Sequence, residues 1–159
     1  MGKKKKKKSN SNLAVNRKAR HDYFVKSTLE AGLVLHGVEI KSIRAGKANL
    51  RDSHVYIHEG EAWVRNMHIS RYDQASTHEK ELDPMRPRKL LLHKREIGKL
   101  EAEITRKGMT IVPLRLYLVR NRAKLEIGVA KGKKLYDKRA TMAERDSKRK
   151  MERALHQRY

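Results

Sequence analysis

The sequence predicts a mainly β protein: a small antiparallel barrel, of which the OB-like barrel is one form, with a few flanking helices, a basic N-terminal arm and a basic C-terminal tail. Three observations carry this. Residues 53–69 and 109–130 each alternate apolar and polar positions on both sides of a turn signal, as hairpins do. Residues 32–43, GLVLHGVEIKSI, form a long apolar run whose phase changes at Gly37. A strand that slips by one residue at a glycine can turn a barrel corner. Charge, finally, is concentrated at the ends. Of the formal +22 on 159 residues, +9 lies in residues 1–20 and +7 in 130–159, leaving +6 for the middle. Only the middle has apolar area to offset the entropy of ordering.

Taken in order, residues 1–12 (MGKKKKKKSNSN) read as a disordered basic arm. Residues 13–130 read as the barrel and 131–159 as the tail. Residues 22–25 (DYFV) form a short strand. Short helical turns are expected at 27–32 and 48–53. The 53–69 hairpin turns at Glu59-Gly60, with Val55 and Ile57 on one face. Pro84 and Pro87 break 83–89 into a loop. Residues 93–107 form a helix, because Ile97, Leu100 and Ile104 fall on one stripe and Gly108 stops it. In the last hairpin Leu114, Leu116 and Leu118 share a face, Asn121-Arg122 turns the chain, and Leu125, Ile127 and Val129 return. Pro113 marks an edge or a bulge. Gly132 is placed to redirect the chain into the tail. Met151, Leu155 and Tyr159 give that tail only a thin apolar stripe, so it is expected to be disordered alone and helical once its cations are neutralised.

Such a charge calls for a polyanionic partner, nucleic acid first. No apolar run approaches the roughly 20 residues of a membrane span, and Lys6 stands where a myristoylation signal wants Ser or Thr. A cytoplasmic protein is expected, and the lack of Cys excludes disulfides and thiolate metal sites. Asp52, Ser53 and His54 have the residue types of a hydrolase triad, but adjacent strand residues face opposite ways. No zinc motif or phosphate loop is present. No enzyme activity, cofactor or metal is therefore expected. Residues 16–24, NRKARHDYF, do have the composition of an RNA surface. Asn16, Arg17, Lys18 and Arg20 accompany the stackable rings of His21, Tyr23 and Phe24. Arg86, Arg88 and Lys89 stand beside three leucines, one of which could face out and pack on a base. Tyr136 is a ring among cations.

The segments NRKARHDYF, EAGLVLHGVEIKSIRAGKANLRDS, PRKLLLHKRE and LYLVRNRAKLEIGVAKGKKLYDKR, followed by the basic tail, resemble the SmpB family in this order through nearly the whole chain after the lysine arm. The resemblance implies an OB-like barrel without enzymatic activity. It implies a monomer that binds the tRNA-like domain of transfer-messenger RNA (tmRNA) and delivers it to stalled ribosomes for trans-translation. The tail would enter the vacant message channel at the decoding centre of the small subunit. Elongation factor Tu and alanyl-tRNA synthetase would be partners only through the RNA. For tmRNA it points to Asn16, Tyr23, Glu30, Leu91 and His93, beside Arg17, Lys18, Arg20 and His21 of the RNA-like segment read above. For the ribosome it points to Tyr136, Asp137, Lys138 and Arg139; the distal tail, with Lys148, Arg149, Ala154 and Leu155, matches in character, and Gly132 is the hinge before them. A structural ribosomal protein or assembly factor would share the charge and extensions, and is the alternative.

Overall fold

The structure, a computed structural model, describes residues 12–80 and 82–157. Its elements are β1 (Asn12–Val15), α1 (Arg17–Asp22), β2 (Tyr23–Leu33), α2 (Gly37–Arg44), β3 (Ala48–Asn49), β4 (His54–His58), β5 (Glu61–Arg65), β6 (His68–Ile69), α3 (Thr77–Lys80), β7 (Arg88–Leu91), α4 (Lys94–Lys107), β8 (Thr110–Val119), β9 (Arg122–Gly132) and α5 (Leu135–Gln157). Strands run in the order β1-β8-β4-β5-β7-β2-β9, and β9 pairs back onto β8. That closure, antiparallel throughout, makes the expected small barrel. Inside it Ala31, Val55, Val64, Leu90, Ile111, Leu116, Leu125 and Ile127 are buried together. Helix α4 packs against this core with Leu100 buried and Ile97 and Ile104 beside it, the stripe read from sequence. His93 caps α4, its N–H donating to Glu96 at 3.1 Å, and Gly108 ends it in the left-handed region (φ 61°).

Several expectations need correction. The second half of 32–43 is not a strand. β2 ends at Leu33, and Gly37–Arg44 is helix α2, which buries Val38, Glu39, Ser42 and Ile43. Gly37 is its first residue, not a bulge. Residues 27–32 are mid-strand in β2, not a helical turn, and 48–53 is β3 followed by a turn with Asp52 at φ 61°. The last hairpin turns at Arg120-Asn121, one residue earlier than predicted, with φ of 49° and 64°. The first turns at Glu59-Gly60 as predicted. Leu114 does not share a face with Leu116, because the ladder shifts between Pro113 and Arg115. Of the predicted arm, residues 1–11 lie outside the described residues and Asn12 opens β1.

α2 is held by a buried ion pair. Arg88 and Glu39 are both almost fully buried, with Nε donating to Oε2 at 2.6 Å. The remaining Arg88 nitrogens donate to the carbonyls of Met67 and, at 2.9 Å, Pro84. Glu39 Oε1 accepts from Arg86 and, at 3.0 Å, from the His36 N–H that starts the helix. Burial pushes the Glu39 carboxyl up, but Arg86, the His36 N–H and Arg88 outweigh it and hold it below the usual carboxylate range. Buried ion pairs gain little over apolar packing, but losing one partner strands a charge. Glu39→Ala is therefore expected to cost about 3–5 kcal/mol, read as a lower urea midpoint at unchanged slope. Because the folded value lies below the unfolded one, about 4.3, this contribution is present above it and lost as pH falls through the folded value. Wild-type stability should drop in acid over that window, and Glu39→Gln should flatten the drop.

Candidate nucleic-acid interface

Asn16 builds this site without facing out of it. Its Oδ1 accepts the Ala19 N–H at 3.1 Å, capping α1, and its Nδ2 donates to Pro113 O at 2.9 Å and Leu50 O at 3.3 Å. The side chain is buried, so its contribution is to fix α1 against β8. Under α1 lies a pad on the outer face of the barrel: Ala19 packs with Val112, Leu114 and Ala130, flanked by Tyr23 and Val25. Two register shifts make the pad, one between Val25 and Ser27, one between Pro113 and Arg115. Each turns side chains that would point into the barrel outward. Gly128 leaves the space, since a Cβ there would lie 3.0 Å from Leu114 and 3.1 Å from Val25.

Beyond the pad the same outer face continues. Ala31, Leu33, Leu90, Leu116, Leu125 and Ile127 point inward, so their alternates point out. Glu30 sits opposite Glu126, Gly32 opposite both Lys124 and Leu91, Arg115 opposite Glu126, and Tyr117 opposite Lys124. Leu91 is 54 % exposed; it lies across Gly32, where a Cβ would come within 3.1 Å of it. It is the outward leucine that the 86–96 segment promised. Tyr117 Oη donates to Glu30. Arg115 Nε donates to Glu126 at 2.6 Å and its Nη1 to Asn12 at 3.0 Å. The Arg115 guanidinium lies 4.3 Å from the Tyr117 ring centre. Arg20, on α1, reaches Glu126 at 3.9 Å. Glu30, Leu91 and Arg20, distant in sequence, are thus brought to one face. His93 follows β7 with its side chain in solvent.

The remaining positions divide. Arg17 and Lys18 are exposed, Lys18 bonded to Asp52 at 2.8 Å. Tyr23 is half-buried in the pad; the exposed ring of its segment is Phe24, with Lys133 Nζ 4.8 Å from its centre. Arg88 is buried and Lys89 pairs with Glu61 at 2.9 Å, so neither is a free cation. Asp52, Ser53 and His54 do not converge: Ser53 donates to Leu50 O and Asp52 binds Lys18. Burial, then Arg65, lowers His54. Arg115, Tyr117, Lys124 and Glu126 were missed by sequence reasoning. Their signal was their alternation with the inward leucines of the last hairpin.

The tail leaves from the far end of β2–β9. β9 continues through Gly132, paired with Tyr23, and Gly132 has no left-handed backbone; the redirection falls at Lys133 and Lys134. Lys133 N–H donates to Asp22 O at 2.8 Å, Lys138 Nζ is 3.5 Å from Asp22, and His21 lies in a groove with Met142, Arg145 and Arg149. Asp137 accepts the Lys134 N–H at 3.1 Å, opening α5. Among its described residues α5 buries none: Tyr136, Arg139, Lys148, Arg149, Ala154 and Leu155 are all exposed. No helix among the described residues is long and apolar enough to cross a membrane, and none of their His, Asp or Glu side chains cluster as a metal site would require.

A closed antiparallel barrel with a cation-bearing helix on one outer face and an unburied basic helix leaving it defines the class: a small OB-like barrel protein with electropositive extensions. Comparison with known proteins narrows it. The family model "SmpB protein" matches residues 13–157. An SsrA-binding protein of Roseiflexus sp. (strain RS-1) is 56 % identical over 146 residues, 92 % of each chain. One from Clostridium botulinum (strain Hall) is 56 % identical over 153 residues, 96 % of this chain and 97 % of that one. A solved chain from "tmRNA-SmpB: a journey to the center of the bacterial ribosome" superposes with a TM-score of 0.64 at 44 % identity, over 76 % of this chain and 84 % of that one. The chain belongs to the SmpB family.

Gly128→Ala tests the pad beneath α1. Overpacking of this kind costs about 1–3 kcal/mol, so the variant should unfold at lower urea, and amide exchange should speed up in α1 before the barrel strands.

Proposed function

We propose that the protein is a noncatalytic adaptor that binds the tRNA-like domain of tmRNA and delivers it to stalled ribosomes for trans-translation. The observation that carries this is the gathering of Arg20, Glu30 and Leu91 on one outer face of the barrel, apart from a basic helix that buries nothing in its own chain. The first is a rigid surface of mixed chemistry, suited to a folded RNA whose bases and hydroxyls offer donors as well as phosphates. The second is suited to a channel walled by RNA, where neutralising its Lys and Arg favours the helix. Helix propensity without packing leaves α5 marginal in water, so the free tail exchanges with disorder and becomes a stable helix in the empty message channel. An intact message would occupy the same space, and so the tail reports that the channel is vacant. Elongation factor Tu and alanyl-tRNA synthetase join only through the RNA, and the protein acts as a monomer in the cytoplasm.

Sequencing the RNA that copurifies with the protein tests the reading: tmRNA should be strongly enriched. Ribosomal RNA alone, stoichiometric on translating ribosomes, would identify a ribosomal component instead. Glu30→Ala should weaken binding to tmRNA more than to generic RNA; an equal loss on both would remove its specific role. For the tail, the cut belongs after Lys134, because residues 130–132 are part of β9 and Ala130 is buried. That truncation should leave tmRNA affinity within about twofold and abolish tagging on stalled ribosomes, a loss of more than tenfold. Parallel loss of both would make the tail one more RNA-binding arm.

A further inference from the structure

Glu30 is an exposed acid on a strongly basic protein, and its side chain is not loose. Tyr117, 3 % exposed, donates its phenol hydroxyl to one Glu30 oxygen. The ring is held in turn: Arg115 lies over it, pinned by Glu126 on one side and Asn12 on the other. Tyr117 takes one Glu30 oxygen, and the exposed Leu91 lies across Gly32, two residues along the same strand. A diagonal pair on adjacent strands is separated by about 7–8 Å, the span of a base packed on the leucine with its edge at the carboxylate.

We propose that Tyr117 is the positioning residue of Glu30, and that the two form a preorganised acceptor subsite for hydrogen-bond donors of a folded RNA, its base amino groups or 2′-hydroxyls. The inference rests on the function proposed above and deepens it. An unrestrained glutamate would lose rotamer freedom on binding; here that freedom is already lost in the free protein. A carboxylate repels phosphate and accepts from amino and hydroxyl groups, so the subsite contributes selectivity where the surrounding cations contribute only attraction. Burial, then the bond to Glu30, keeps the Tyr117 phenol well above its ordinary value, so it remains a donor. Tyr117→Phe removes one hydroxyl and keeps the ring under Arg115.

The test uses the full-length protein and two probes, a transcript of the tRNA-like domain and poly(U). Tyr117→Phe should bind the transcript about ten- to a hundredfold more weakly, the range for one hydrogen bond to a charged group. It should bind poly(U) as the wild type does. Glu30→Gln should show the same selective loss, and adding Tyr117→Phe to it should change nothing further. A merely structural tyrosine would give equal loss on both probes and the same loss in the Gln background; either result, or no loss at all, overturns the proposal. Should Tyr117→Phe shift the urea midpoint, the Glu30→Gln pair of affinities still decides whether the acceptor is selective. Transcripts made with inosine for guanosine, or with 2′-fluoro pyrimidines, separate the two donor sources. The one on which wild type and Glu30→Gln bind alike lacks the donor, a guanine amino group or a pyrimidine 2′-hydroxyl; a full difference on both assigns the donor to an adenine or cytosine amino group or a purine 2′-hydroxyl. Failure of the wild type to prefer the transcript over poly(U) would reject the adaptor reading itself, whatever Tyr117 does.

Discussion

The buried pair of Glu39 and Arg88 is the constraint on which the rest of this molecule depends. Two charges almost without solvent contact are tolerated because nearly every polar atom has a partner: His36 N–H and Arg86 on the acid, Met67 and Pro84 carbonyls on the base. The geometry they demand joins α2, the 67–69 segment, the 83–87 turn and the first residue of β7. Since β7 runs only from Arg88 to Leu91, an arginine fixed at one end places the exposed leucine at the other. His93 and the start of α4 follow within three residues. The outer face is thus registered from inside the barrel.

On that face, order comes from side chains that hold one another. Asn16 is consumed by the cap and docking of α1, which puts Arg20 within reach of Glu126. Glu126 holds Arg115, Arg115 covers Tyr117, and Tyr117 holds Glu30. Ion pairs at the surface add little stability. Their consequence is geometric: acids and bases are held at fixed, interspersed positions on β2, β9 and β8, a pattern that a uniformly cationic surface could not offer a shaped RNA. The tail is the opposite case: it meets the body near Asp22, His21 and Lys133, and among the described residues its helix buries no side chain.

What the sequence revealed follows from how local each signal is. The α4 stripe and its glycine stop, and the turn at Glu59-Gly60, are set by residues within a few positions of each other, and they were legible. α2 was not. Its buried face includes Glu39 and Ser42, which leaves Val38 and Ile43 as its buried apolar positions, too few to outweigh the strand-like alternation of Val38 and Ile40. The partner that makes Glu39 buriable lies 49 residues away. For the same reason Arg88 looked like one more surface cation. β2 was misread at 27–32 because Glu30, Ala31 and Gly32 disfavour a strand locally, and only β9 laid beside them fixes it. Pro113 announced a break in the ladder, but the side to which Leu114 turns is decided by Gly128 and Val25 on other strands. Family resemblance supplied Glu30 and Leu91, and the register of β2, β7 and β9 explains why they belong together.

The central claim is a division of labour, with the barrel face holding tmRNA and the tail helix lying along ribosomal RNA. Photo-crosslinking from two positions on stalled ribosomes tests it most directly, with a benzophenone side chain placed in turn at Leu91 and Leu155, both well exposed. The account predicts that Leu91 crosslinks to the tRNA-like domain of tmRNA and Leu155 to the RNA of the small subunit lining the message channel. Crosslinks from both positions to the same RNA, or from Leu155 to tmRNA alone, would contradict it.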